Sequence, residues 1–313
     1  MVLDVVFVVA GLVLLAGGAE GLVRGAGAVA LRLGVAPLVV GLTIVAFGTG
    51  SPELVLSMQA AASGNGGIAL GNVVGSNISN IALVLGVAAL VRPMAVQARL
   101  IRREVPVMIV ATFFVAALLW DGGLSRPDGA VLLAGAVGYV VFAYIGARRG
   151  DAPVVAEEFD AALKREQRLW AEVLLIVAGL AALLLGATVL LRGAVDLATA
   201  LGVSEVVVGL TVIAIGTSLP ELATSVTAAR RRQADVAFGN AVGSNVINIL
   251  AVLGAAALVR PIAAGGLRPL DVTVFLVSAV ILLPLMARGA VLNRWEGGVL
   301  VAAYAAYIIS LAV

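Results

Sequence analysis

Two short stretches place a proline and a carboxylate together in the middle of strongly apolar sequence: Gly48-Thr49-Gly50-Ser51-Pro52-Glu53 and Gly216-Thr217-Ser218-Leu219-Pro220-Glu221. A proline inside a helix has no N–H for the carbonyl four residues earlier. Pro52 and Pro220 therefore release the carbonyls of Gly48 and Gly216, and those of Ala46, Thr49, Ala214 and Thr217 lie close by. Glu53 and Glu221 follow directly and add full negative charge. Carboxylates, carbonyls and hydroxyls form an all-oxygen donor set, which suits hard cations such as Ca2+ or Na+ rather than zinc or copper. A pair of plain proline kinks would need no carboxylate, and would not explain two copies at matched depth.

A second pair of patterns follows each acid. Asn72, Ser76 and Asn80 recur at i, i+4 and i+8, on one face of a helix, and so do Asn240, Ser244 and Asn248. Asn77 and Asn245 flank these stripes. Small and polar residues also pack membrane helices together. Because each stripe follows a buried glutamate and both are duplicated, ion lining is the preferred reading, with Gly71 and Gly75 as packing residues.

These residues need elements to hold them. The chain has 313 residues, 62% hydrophobic and only 12% charged, with a mean hydropathy of +1.15, which is the composition of a polytopic membrane protein. Ten apolar segments are expected, at roughly 3–23, 37–62, 68–91, 105–120, 128–147, 171–191, 205–229, 236–259, 271–287 and 296–313. The polar stretch 148–170 divides them, giving a first repeat at 1–147, a cytoplasmic linker and a second repeat at 171–313. Residues 40–93 and 208–261 align at a constant offset of 168, with about thirty identical positions. Five spans per repeat predict that the halves enter the membrane in opposite directions, as an all-α fold of two inverted-topology five-helix repeats. With both termini outside, only Arg126, Arg192, Arg260 and Arg268 of the 20 basic residues fall outside, and the other sixteen fall inside. The arginines at 230–232 read as anchors at the lipid headgroups, and Trp120, Trp170 and Trp295 as interfacial aromatics.

The motifs resemble the two alpha-repeats of the calcium/cation antiporter superfamily, which includes the sodium/calcium exchangers, and the chain looks most like its prokaryotic exchanger-like group. The resemblance implies four cation sites packed together at mid-membrane. It implies a calcium site of Glu53, Glu221, Thr49 and Thr217. An outer sodium site would use Ala214, Thr217, Ser218, Glu221 and Ser76. An inner one would use Ala46, Thr49, Glu53, Ser244 and the position held here by Gly50. Asn80 and Asn248 would join both glutamates at a central site. This chain departs from the family pattern at Gly50, where a serine is expected, and Ser51 is rotated by about 100° on a helix. Neutral Asn248 argues against the potassium-dependent branch.

The function expected is a secondary antiporter exchanging Ca2+ for Na+ across the cytoplasmic (inner) membrane by alternating access. A proton/calcium exchanger using the same glutamates is the alternative, with H+ as the coupled ion. A cation channel would need a continuous pore, against which the broken-helix pair speaks. An enzyme is not expected: histidine and cysteine are absent, and no nucleophile–base dyad is visible. No cofactor or nucleic acid is implied.

Overall fold

The protein is described by a computed structural model covering residues 2–32, 37–149, 169–201, 216–264, 267–287 and 289–312. It is an all-α membrane protein. The helices are α1 (Val2–Arg32), α2 (Leu38–Thr49), α3 (Ser51–Ala62), α4 (Gly66–Val91), α5 (Leu100–Asp121), α6 (Arg126–Arg149), α7 (Leu169–Ala200), α8 (Leu219–Arg230), α9 (Ala234–Val259), α10 (Pro269–Ala287) and α11 (Arg294–Ala312). Among the described residues seven are long and apolar enough to cross a membrane, or eight if the bent pair α2–α3 counts as one span. The expected seventh span is described only from Gly216 onward, and most of the expected linker, residues 150–168, lies outside the described residues.

Several helices outrun the spans expected from hydropathy. Helices α1 and α7 have 31 and 32 residues, about 46–48 Å at 1.5 Å per residue. That exceeds a hydrocarbon core of about 30 Å. The extra turns carry charge that finds partners. Glu20 pairs with Arg24 at 2.7 Å, and Arg32 of α1 pairs with Glu172 of α7 at 2.8 Å. Helix α5 begins near Leu100 and so carries Arg102, Arg103 and Glu104 before its apolar run. The exposed arginines can extend toward the headgroups.

Burial separates a centre from a periphery. The most apolar stretches of α4 and α9 are each 78% buried within the protein, against 22% for α1 and 28% for α7. Helices α4 and α9 therefore form the packed core, and α1 and α7 present most of their apolar surface outward, as lipid-facing helices do. Helices α1 and α7 lie antiparallel along a glycine seam. A Cβ added at Gly18 would stand 2.8 Å from the Gly179 carbonyl, and one at Gly179 would stand 2.6 Å from the Leu22 amide nitrogen. Only glycine permits this backbone approach, a common device in membrane packing.

Corresponding parts of the two halves exchange partners. Strand β1 (Met94–Ala95) pairs antiparallel with β4 (Val291–Leu292), and β2 (Gly123–Leu124) pairs with β3 (Ile262–Ala263). At the repeat offset of 168, β1 corresponds to β3 and β2 to β4. Likewise Arg126 Nε donates to the Leu258 carbonyl at 3.3 Å, and Arg294 Nε to the Leu90 carbonyl at 3.2 Å. The capping boxes of α6 (Ser125 with Asp128) and α11 (Asn293 with Glu296) also correspond.

Gly179→Val should push α1 and α7 apart, because the added methyl groups meet backbone rather than a movable side chain. A sharp fall in monodisperse yield and in melting temperature is expected. Gly67→Ala, at a glycine whose Cβ would meet nothing, should be tolerated in the same assay.

Candidate ion-binding site

The chain breaks where proline forbids a continuous helix. Helices α2 and α3 meet at an angle of 46° at Gly50. Gly50 adopts φ −80°, ψ 4°, and Ser218 ahead of α8 adopts φ −86°, ψ 5°. The two breaks thus share one backbone geometry. Each places its proline in the first turn of a new helix, where a missing N–H costs little. Each also places its glutamate in that first turn, at the positive end of the helix dipole.

Both glutamates are buried, as are Thr49, Ser76, Asn80, Ser218, Ser244, Asn248 and Ala46. The breaks face each other across the repeat interface. The space where a Gly50 side chain would begin lies 3.6 Å from Asn248 Oδ1 and 4.0 Å from Glu221 Oε1. Ser76 Oγ donates to Glu53 Oε1 at 3.4 Å, and Ser244 Oγ to the Ala46 carbonyl at 3.4 Å. Thr49 Oγ1 sits 3.0 Å from Asn240 Oδ1, joining α2 to α9. Thr217 is partly exposed, and Ala214 lies outside the described residues.

The decisive feature is what remains unpartnered. Among the described residues, Glu53 Oε2, both carboxylate oxygens of Glu221, Ser218 Oγ, Asn80 Oδ1 and Asn248 Oδ1 are buried with no hydrogen-bond partner. Buried polar atoms are normally satisfied, and leaving them unmade is costly. No cluster of three or more carboxylate, imidazole or thiol groups exists among the described residues, so the rest of a coordination shell must come from hydroxyl, amide and backbone oxygens.

Two expectations are corrected. The Gly48 carbonyl released by Pro52 does not open toward an ion, because Ser51 Oγ turns back and donates to it at 2.7 Å. That bond also occupies the Ser51 hydroxyl, which therefore does not replace the hydroxyl missing at Gly50. Asn72 and Asn240, expected to line an ion, spend their amide donors on the protein itself. Asn72 Nδ2 donates to the Glu53 carbonyl at 3.3 Å and to Ser57 Oγ at 3.0 Å. Asn240 Nδ2 makes the same two bonds, at the same distances, to the Glu221 carbonyl and Ser225 Oγ. Each asparagine holds the backbone of its glutamate. Sequence reasoning missed Ser57 and Ser225. Their signal was present, since they are identical residues four positions after matching acids.

Asn80 and Asn248 begin π-helical turns within α4 and α9, a device often found at functional sites. Asn80 Nδ2 donates to Asn245 Oδ1 at 3.1 Å, which cross-links α4 to α9 and leaves Asn80 Oδ1 free for the interior.

Matched helix breaks around an oxygen-only pocket, inside a polytopic all-α body, define a membrane protein built to hold hard cations between two halves of one chain. The sodium/calcium exchanger protein family model matches residues 3–145 and again 171–313. The chain belongs to that family. It is 40% identical over 245 residues to the putative antiporter CaxA of Alkalimonas amylolytica, covering 76% of each chain. It is 31% identical over 280 residues to the sodium/calcium exchanger MaX1 of Methanosarcina acetivorans, covering 78% of this chain and 80% of that one. It superposes on the sodium-calcium exchanger NCX_Mj, soaked with zero Na+ and Ca2+, with a TM-score of 0.86 at 32% identity over 99% of both chains.

If Asn240 positions Glu221, Asn240→Leu should weaken Ca2+ binding by about 10–100-fold, the usual cost of losing a supporting contact at a metal site. Isothermal titration of the purified variant measures this. Unchanged affinity would show that the Asn240 bond is dispensable.

Proposed function

We propose that the protein exchanges Ca2+ for Na+ by alternating access, with Glu53 and Glu221 as shared carboxylate ligands. The observation that carries the reading is the group of buried, unpartnered oxygens contributed by both halves. Two glutamates neutralise one Ca2+, and the same pair attracts several Na+ ions. Either load lowers the cost of carrying the site through the membrane interior, while the bare pair of charges is held back.

The structural support for inverted repeats is the antiparallel contact of α1 with α7 and the exchange of corresponding strands and arginines between halves. On this reading the chain has ten spans, a first repeat at 1–147, a cytoplasmic linker at 148–170 and a second repeat at 171–313. Both termini face outward from the inner membrane. Thr49 and Thr217 complete the calcium shell. Ser76, Ser218 and Ala214 serve one sodium position, and Ser244 and Ala46 the other. Asn80 and Asn248 lie between them.

In proteoliposomes, an outward sodium gradient should drive Ca2+ uptake, and a pH gradient of either sign should not replace it. Glu53→Gln and Glu221→Gln should each remove at least about 99% of the flux, the scale expected when a buried charge is left without its partner. Calcium flux that follows the pH gradient alone would establish proton coupling instead. Normal flux in either folded variant would exclude these glutamates as ligands.

Gly50 marks where the two halves are chemically unequal. Ser218 holds a buried, unpartnered hydroxyl at the same φ and ψ that Gly50 adopts. The φ and ψ of Gly50 thus suit a serine, whose side chain would start 3.0 Å from the Ala46 carbonyl, a tight contact that the backbone must relieve, and 3.6 Å from Asn248 Oδ1. Gly50→Ser should lower the sodium concentration for half-maximal exchange while leaving Ca2+ affinity nearly unchanged. A sodium titration of calcium flux tests this, with melting temperature as the folding control. An unchanged sodium response would remove Gly50 from the sodium site.

A further inference from the structure

A cavity of about 510 Å³ is lined by Val91, Arg92, Pro93, Arg230 and Arg294, and by neither glutamate. Its residues come from three element ends. Arg92 leaves α4 in extended conformation, Arg230 closes α8, and Arg294 opens α11. Arg294 is fixed by donating from Nε to the Leu90 carbonyl at 3.2 Å and from Nη2 to the Val91 carbonyl at 3.4 Å. Among the described residues Arg92 and Arg230 form no ion pair. The acidic groups of this region are engaged elsewhere. Glu20 takes Arg24 and Arg231, Asp235 accepts from Gln97, and Glu296 caps Asn293. Three arginines thus line one cavity with no acidic residue among those that line it.

Duplication accounts for two of the three. Arg260 and Arg126 stand at the positions matching Arg92 and Arg294, and Arg126 repeats the carbonyl bond of Arg294. The position matching Arg230 is Ala62. Arg294 and its counterpart Arg126 hold helix ends, and Arg230 is an addition on one side only. Individually solvated headgroup anchors do not need to converge. Exposed Trp295, next to Arg294, places the cavity at interfacial depth.

The geometry points to a binding site for one phosphate-bearing anion, gripped by Arg92, Arg230 and Arg294. Planar guanidinium forks match the oxygens of a phosphate, and Val91 and Pro93 supply an apolar edge for what the phosphate is attached to. A cavity this size accommodates more than inorganic phosphate, so a phospholipid headgroup and a soluble polyphosphate share the required chemistry. The cavity lies on the side that carries most of the basic residues, where basic pockets between helices meet anionic headgroups.

The test uses delipidated full-length protein. Native mass spectrometry reads retention of phosphatidylglycerol against phosphatidylcholine, and a thermal-shift titration with pyrophosphate reads the soluble anion. Wild type should retain one phosphatidylglycerol in preference to phosphatidylcholine, or should gain melting temperature saturably with pyrophosphate. Lipid retention that pyrophosphate does not displace identifies the headgroup as the source, and a saturable pyrophosphate shift without lipid preference identifies the soluble anion. Arg230→Ala should weaken whichever response is seen by about tenfold, as expected for losing charge-assisted hydrogen bonds. Arg230→Lys should fall between the two, and Arg260→Ala should match wild type. Sodium-driven calcium uptake in phosphatidylcholine vesicles confirms that each variant is folded. No response to either probe, an unaltered response in Arg230→Ala, or equal losses in Arg230→Ala and Arg260→Ala would overturn the proposal.

Discussion

Two carboxylates buried without basic partners are the constraint around which this protein is arranged. A charge in a low-dielectric interior is tolerated only if something compensates it. Among the described residues, no arginine or lysine approaches Glu53 or Glu221 as an ion-pair partner. The neighbourhood instead offers amides and hydroxyls, several of which bond to backbone carbonyls and to one another. Asn72 and Asn240 fix the glutamate carbonyls, Ser76 donates to Glu53 Oε1, and the other three glutamate side-chain oxygens stay without a hydrogen bond. A permanent counter-charge would have stabilised the protein and destroyed the site. The helix breaks contribute as well, since each places a carboxylate in the first turn of α3 or α8, where the dipole favours negative charge.

This constraint also explains why the core lies where it does. Helices α4 and α9 carry the amides that brace both breaks, so they must be packed tightly enough to hold side chains in fixed rotamers. They are the most buried helices in the protein. Helices α1 and α7 contribute none of the bracing bonds and are mostly exposed. Their mutual contact is a close glycine seam, closed at one end by Arg32 and Glu172. They behave as a paired unit against the core rather than as part of it.

Much of the site was legible in the sequence because duplication repeats chemistry at a fixed offset. Glu53 and Glu221, Ser76 and Ser244, and Asn80 and Asn248 stood out as polar residues at matched depth in apolar segments, and the structure buries all six. What sequence could not show was which polar atoms are consumed internally. Asn72 and Asn80 share one helical face, yet one braces backbone and the other keeps an oxygen free. That difference depends on where Glu53 and Asn245 fall in space. The fate of the Gly48 carbonyl likewise depended on the rotamer of Ser51. The strand exchange between halves was invisible because two-residue ladders carry no periodic signal. The helix lengths were underestimated because hydropathy marks the lipid boundary, and helices continue beyond it wherever their charges find partners.

The two halves are alike where ions bind and unlike at their ends. On the inverted-repeat reading, identical units would present the same energy facing either side of a membrane, so any preference between the two orientations would reside where the copies differ. Three such places are visible. Gly50 faces Ser218 in the site itself. At one end, Glu20 of α1 pairs with Arg231 beyond α8, and the matching positions are Thr188 and Ser63, which cannot form an ion pair. At that same end Arg230 completes a three-arginine cavity whose counterpart has Ala62. The Glu20–Arg231 pair ties α1 to the core at one end, and the matching positions at the other end offer no such tie. Under the proposed exchange mechanism, the matched core sets which ions fit, and the unmatched ends are where a preference between the two orientations would reside.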